Sequence, residues 1–371
     1  MLIFSPPMGP TYWDYLKLDR LLDLQGGVEG DESALMPDEL HFIIVHQAYE
    51  LWFKLVLREL RDARDHLAAP RVPEDEVPYV VHHLRRVTEI MKLAVDQFRV
   101  METLTPQDFL AFRDKLIPAS GFQSFQLREL EILLGLDDKE RIAYAGADPL
   151  EHIRALSATS PGGKLAWSRI EKARSELSLR AAMHEWLYRT PLQGSSPNDP
   201  ADAAAVQRFV SDYFAALQRS NQQKTENLKA ALGGDAAAIE QRMREGEAAA
   251  KRFLFAEDAP AAERGRIMRV RAGVLFIESY RELPLLAWPR LLIDSVVELE
   301  EQLVLFRSRH ARMVERIIGR RVGTGGSSGV DYLDQTARYR IFDELWSVRT
   351  ILLAKEHLPK LERAEAYGFA T

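Results

Sequence analysis

The chain has no cysteine, which excludes disulfides, cysteine-held zinc, iron–sulfur clusters, thiolate-ligated haem and porphyrins attached through a C-x-x-C-H segment. Any metal must therefore rest on histidine, carboxylate, tyrosine or methionine. Positive charge is also short: 49 Lys and Arg against 55 Asp and Glu leave a net charge of −6. Such a balance supplies no basic surface for gripping a nucleic acid by counterion release. Long apolar runs are missing as well. No stretch approaches the roughly 18 residues of a membrane helix, and the opening MLIFSPPMGPTYWDYL carries neither the basic segment nor the continuous apolar core of a secretory signal. These absences predict a cytoplasmic protein that works without nucleic acid or membrane. What is present is ample apolar material, 46% hydrophobic residues in a chain of 371, enough to bury a substantial core.

Alternating runs bounded by hairpin turns are scarce, whereas apolar residues recur at three- and four-residue spacing through most of the chain. The pattern predicts an all-α fold. Residues 38–66 carry Phe42, Val45, Tyr49, Trp52, Val56 and Leu60 in helical rhythm, and a second long helix is predicted over 79–102. Thr105 reads as an N-cap, with Pro106 at the first helical position and Asp108 near the capping-box place. This predicts a short helix over 107–116, stopped by Pro118. A helix from about Phe122 should end at Gly135, a natural left-handed C-terminal glycine. Further helices are predicted over 165–189, 201–232, 236–254, 261–282, 289–319 and 332–353. The alanine- and charge-rich middle, about residues 195–265, reads as an exposed helical hairpin inserted on a more compact core.

One run breaks the helical grammar: Val322, Gly323, Thr324, Gly325, Gly326, Ser327, Ser328, Gly329. It lacks the Gly-Lys-Ser/Thr ending and the preceding strand of a phosphate-binding loop, which leaves a linker or a lid over a ligand. Among nine histidines, His310 best suits a metal, because it sits on a predicted long helix with Met313 and Val314 within one turn. A structural histidine is the other reading. Without cysteine, however, a histidine-ligated haem is the simplest way to hold a redox iron. Phe42 and His46, at i and i+4, share a helix face that suits either core packing or a site wall. Phe109 and Arg113 share another, with Phe112 alongside, so the guanidinium either joins a structural salt bridge or clamps a carboxylate above an aromatic floor. Tyr12, Trp13, Tyr15 and Leu16 form an aromatic cluster suited to core packing, an oligomer contact or a substrate wall.

In their order and flanking residues, these segments resemble the tryptophan 2,3-dioxygenase family. The likeness lies in Tyr12-Trp13-Asp14-Tyr15-Leu16, in FIIVHQAYELWFK from Phe42 to Lys54, in the stretch from Met101 that ends PASGFQS at Ser124, and in His310 through Gly319 into GTGGSSG at 323–329. It covers nearly the whole chain but is loose over about 137–265. The resemblance therefore implies a single multi-helix haem-binding domain, 1–371, with a helical insertion in that middle region.

The resemblance also implies haem b held by His310 on its proximal side, with the opposite face open to O2. By the same likeness, Arg113 pairs with the carboxylate of L-tryptophan or a close analogue, and Thr324 meets the amino acid's polar end. Ala119 and Ser120 line the pocket beside the haem. His46 falls on a distal position facing the indole N–H, and Phe42 and Phe112 fall on ring-packing positions. Phe109 stands near the carboxylate, where some members have tyrosine, a change expected to alter affinity more than reaction type. Tyr12, Tyr15 and Leu16 match residues that a neighbouring subunit of a homotetramer contributes. The implied reaction is cleavage of the indole C2–C3 bond by O2 to N-formylkynurenine, in tryptophan catabolism. The alternative is a related haem monooxygenase that hydroxylates tryptophan or a substituted tryptophan.

Overall fold

Helices follow one another through the residues described by the computed structural model, 9–143, 149–232, 236–324 and 329–368, and the β-type pairing seen among them is an isolated bridge between Leu192 and Ser195. Two single turns, α1 (Tyr12–Leu16) and α2 (Leu18–Leu21), precede the long α3 (Glu39–Ala68) and α4 (Val77–Met101). Then come α5 (Pro106–Phe112), α6 (Phe125–Leu134), α7 (Pro149–Ser157), α8 (Pro161–Ser175) and α9 (Leu179–Arg189). The second half holds α10 (Asp202–Leu232), α11 (Ala236–Leu254), α12 (Arg264–Ser279), α13 (Ala287–Ile318), α14 (Val330–Thr336) and α15 (Asp343–Ile351). Among the described residues, no helix is long and apolar enough to cross a membrane.

The core is built on α4, which packs against α3 on one side and α13 on the other. On α3 the buried Val45, Tyr49, Phe53, Val56, Leu60, Ala63 and Leu67 follow three- and four-residue steps, and α4 answers with Val80, Leu84, Val87, Met91, Ala94 and Phe98. Burial of a large apolar side chain contributes ~1.5–3 kcal/mol, so interhelix packing rather than intrinsic propensity holds these elements straight. Their rigidity fixes the position of everything carried on α13.

Local signals act as their chemistry requires. The Thr105 side chain accepts from Asp108 N–H and starts α5 at Pro106. Gly135 ends α6 at φ 115°, and a Cβ there would meet Arg180 Cβ at 2.7 Å. Two predicted helices are instead broken. The 165–189 stretch divides because Arg61 and Arg64 of α3 draw the Glu176 carboxylate to 2.9 Å, and Ser178 then caps α9 by accepting from Ala181 N–H. The 332–353 stretch divides because buried Glu300 of α13 accepts from the backbone N–H groups of Ile341 and Phe342 and from the Trp346 indole N–H. Those backbone donors are lost to a helix, so the chain turns there. Glu300→Ala is expected to lower stability by ~3 kcal/mol or more by stranding these donors. A fall in the urea midpoint checks this, with Glu300→Gln falling less because its amide oxygen still accepts; an unchanged midpoint would remove Glu300 as the anchor.

The middle of the chain is mixed. Val206, Phe209, Val210, Tyr213, Ala216 and Leu217 of α10 are buried in the main core, together with Ala250 and Leu254 of α11. The distal part of α10 beyond Ser220 is the largely exposed helical material that composition suggested. A small separate cluster, Leu150, Ile153, Ala166 and Ile170, joins α7 to α8 beside Phe125 and Ile132.

Candidate functional site

A cavity of about 150 Å³ opens between α5, α6, α13 and α14. Its walls include Phe109 and Arg113 from the end of α5, Ser120 from the following turn, His310 from α13, and Gly323 and Thr324 from the glycine-rich run. Five of the residues singled out from sequence, Phe109, Arg113, Ser120, His310 and Thr324, thus border one space. Gly325, Gly326, Ser327 and Ser328 lie outside the described residues.

His310 is held in place by aromatic rings. The Phe98 ring stacks on its imidazole with centroids 5.6 Å apart and planes 11° apart, and Phe306 stands 6.2 Å away. Burial, reinforced by His46 and Arg128, pushes its pKa down to about 4. The imidazole is therefore neutral at physiological pH and offers a lone pair to the cavity, which is the state a metal ligand needs.

Arg113 begins the 3₁₀ turn Arg113–Leu116 that extends α5. One Nη donates to the carbonyl of Val322 at 2.5 Å, while its Nε is buried and has no partner among the described residues. The guanidinium thus ties the glycine-rich run to α5 and keeps a donor in reserve for an acceptor in the cavity. Thr324 Oγ1 donates to the Ala119 carbonyl at 2.6 Å, a second tie across the same gap. Ala119 touches the site through this carbonyl, whereas Ser120 Oγ accepts from Phe122 N–H at 3.4 Å.

Phe42 links the cavity to the predicted distal group. Its ring lies 5.8 Å from Phe109, 5.6 Å from Phe112 and 4.0 Å from the His46 imidazole. His46 Nδ1 sits 2.7 Å from the Phe42 carbonyl. Because that oxygen can only accept, Nδ1 carries the proton and Nε2 is left as an acceptor. His46 has an open edge in the single chain, yet the surrounding protein holds its pKa below the usual histidine value, chiefly by desolvation. Tyr12, Tyr15 and Leu16 are not brought to the cavity within one chain; Tyr12 and Tyr15 are 72% and 76% exposed on α1.

Sequence reasoning missed a charged wall. Arg128, Glu131 and Arg307 also line the cavity, with the Glu131 carboxylate 3.0 Å from Arg128, 2.8 Å from Arg141 and 3.1 Å from Arg307. Burial opposes the charge on Glu131, but the guanidiniums outweigh it and hold its pKa down to about 2. The available signal was Arg128 and Glu131 at i and i+3 on α6, beside the apolar Leu127, Leu130 and Leu134, and Arg307 one turn before His310.

Comparison with known proteins supplies the kinship of this arrangement. A relative from Ralstonia nicotianae called tryptophan 2,3-dioxygenase 2 is 48% identical over 97% of this chain and 98% of its own length. A tryptophan 2,3-dioxygenase from Sorangium cellulosum is 48% identical over 97% of this chain and 87% of its own. A tryptophan 2,3-dioxygenase-like protein from Xanthomonas campestris is 50% identical over 72% of this chain and 98% of its own. With the family model described as tryptophan 2,3-dioxygenase matching residues 4–352 as well, the chain belongs to the tryptophan 2,3-dioxygenase family.

Proposed function

We infer that this chain is a haem-dependent dioxygenase that opens the indole ring of L-tryptophan with O2 to give N-formylkynurenine. The observation that carries the reading is one cavity bordered by a neutral imidazole, His310, and by a guanidinium with a spare buried donor, Arg113. The donor set suits a porphyrin. Among the described residues no three histidine or carboxylate side chains converge on a metal position, so an ion held by His310 would take its other ligands from a macrocycle. The apolar walls from Phe122, Leu127, Val314 and Ile318 suit the faces of such a ring. When bound, haem supplies the activation of O2 that the closed-shell indole needs.

The remaining work belongs to this chain's side chains. Arg113 pairs with the substrate carboxylate, and Thr324 exchanges its bond to the Ala119 carbonyl for the polar end of the amino acid. Phe42, Phe109 and Phe112 pack the indole, and Nε2 of His46 accepts from the indole N–H, which orients the C2–C3 bond. Orientation suffices for His46, because the electron-rich ring can be attacked without prior loss of that proton. Ala119 and Ser120 form the wall beside the porphyrin. Tyr12, Tyr15 and Leu16 complete the site of a neighbouring copy in a homotetramer, a role supported by their exposure in the single chain. The enzyme works in the cytoplasm, where the absence of cysteine carries no penalty.

Turnover of L-tryptophan under ¹⁸O2 tests the reaction. Both labelled atoms are expected in one product molecule, read by mass spectrometry. A single label would mean hydroxylation and would overturn ring opening.

A further inference from the structure

We propose that Arg128 and Arg307, braced by Glu131, form a cationic seat for the carboxylate side chains of the porphyrin, opposite in role to the amino-acid clamp at Arg113. The inference rests on the haem reading above and adds positioning residues to it.

The wall is overcharged for a purely internal network. Three guanidiniums converge on the single carboxylate of Glu131, and only Arg141 has a second acid, Asp138 at 3.2 Å. Among the described residues, Arg128 and Arg307 have no ion-pair partner but Glu131. Their side chains are only 8% and 10% exposed, so the excess positive charge sits in the interior. Arg128 Nε is buried with no hydrogen-bond partner among the described residues. A buried cation left short of anions is costly, and both guanidiniums border the cavity, the place from which a further anion can come. Desolvation makes Arg307 a weaker base than usual despite Glu131, the behaviour of an incompletely compensated cation.

The position is equally specific. Arg307 precedes His310 by three residues on α13, so the two share a helix face and line the same cavity. The Arg307 guanidinium lies over the Tyr339 ring at 4.6 Å, which with Glu131 fixes its plane. Haem b carries two carboxylates on one edge of an otherwise apolar disc. A seat with two guanidiniums, adjacent to an iron ligand and roofed by apolar side chains, matches that distribution. The zwitterionic substrate needs just one such cation, and Arg113 supplies it on another wall.

The test loads the full-length chain with haem or with haem dimethyl ester, whose carboxylates are capped as neutral esters. Loss of each porphyrin to an excess of a scavenging apoprotein is followed by visible absorbance. The ester is expected to leave the parent chain faster by tenfold or more, the scale of a lost charge-assisted contact (~10-fold or above). In Arg128→Gln and Arg307→Gln that ratio should collapse toward unity. A purely structural role would raise both loss rates together and leave the ratio unchanged, which would overturn the proposal. The parent chain alone also decides: equal retention of haem and ester overturns the seat whether or not the variants fold. A ratio abolished by Arg113→Gln but untouched by Arg128→Gln and Arg307→Gln overturns it too. Failure of the parent to hold either porphyrin would sink the haem reading itself, and the seat with it.

Discussion

His310→Ala is expected to leave the full-length chain without a stoichiometric Soret band. Among the described residues that line the cavity His310 is the only histidine, and its neutrality leaves the lone pair free without prior loss of a proton. Truncation also opens a hole between Phe98 and Phe306, whose rings now flank the imidazole. Free imidazole diffusing into that hole should restore much of the band, which separates a lost ligand from a misfolded protein. Normal haem content in the variant, without added imidazole, would remove His310 as the ligand.

The second large effect concerns the substrate. Arg113→Ala should weaken L-tryptophan binding by roughly 10- to 100-fold, the range of a charge-assisted contact, while tryptamine, which has no carboxylate, should lose much less. The parent guanidinium is preorganised: its Nη contact with the Val322 carbonyl fixes the side chain before any ligand arrives, and the unpartnered Nε remains for the carboxylate. Titrations of both ligands against the parent and the variant measure the difference. Equal losses would show that Arg113 supports the wall without contacting the carboxylate.

Much of this was legible in the chain because local rules and global packing agree. Thr105, Pro106 and Gly135 act within a few residues of themselves, so their capping roles follow from sequence alone and recur in the structure. The long stripes of α3, α4 and α13 were equally plain, since each is a periodic pattern with one buried face. The two missed helix breaks have distant causes. Glu176 is drawn to arginines more than a hundred positions earlier, and Glu300 reaches Ile341, Phe342 and Trp346. Neither partner is visible in a window of ordinary helical length.

The candidate site divides the same way. Phe42 with His46 and Phe109 with Arg113 were readable as helical neighbours, and their meeting in one aromatic cluster follows from α5 packing near the start of α3. The role of His310 was not readable from spacing. A lone helical histidine gains meaning only when the fold opens a cavity beside it, or when a family likeness supplies the context. Arg128, Glu131, Arg141 and Arg307 escaped notice because the carboxylate that gathers them lies on a different element from Arg307 and Arg141.

The small apolar cluster of Leu150, Ile153, Ala166 and Ile170 has a dynamic consequence. Four side chains form a modest nucleus, separate from the residues that unite α3, α4 and α13. The α7–α8 pair, apart from the end of α8 that Ala173 and the Arg169–Glu129 ion pair tie to the main core, is therefore expected to open and reclose at a free energy below that of global unfolding. Solvent would then reach that pair's backbone while the helices bearing His310 and Arg113 stay closed. Local stability is then expected to rise from this peripheral pair toward the core helices, with His310 on the more slowly exchanging side.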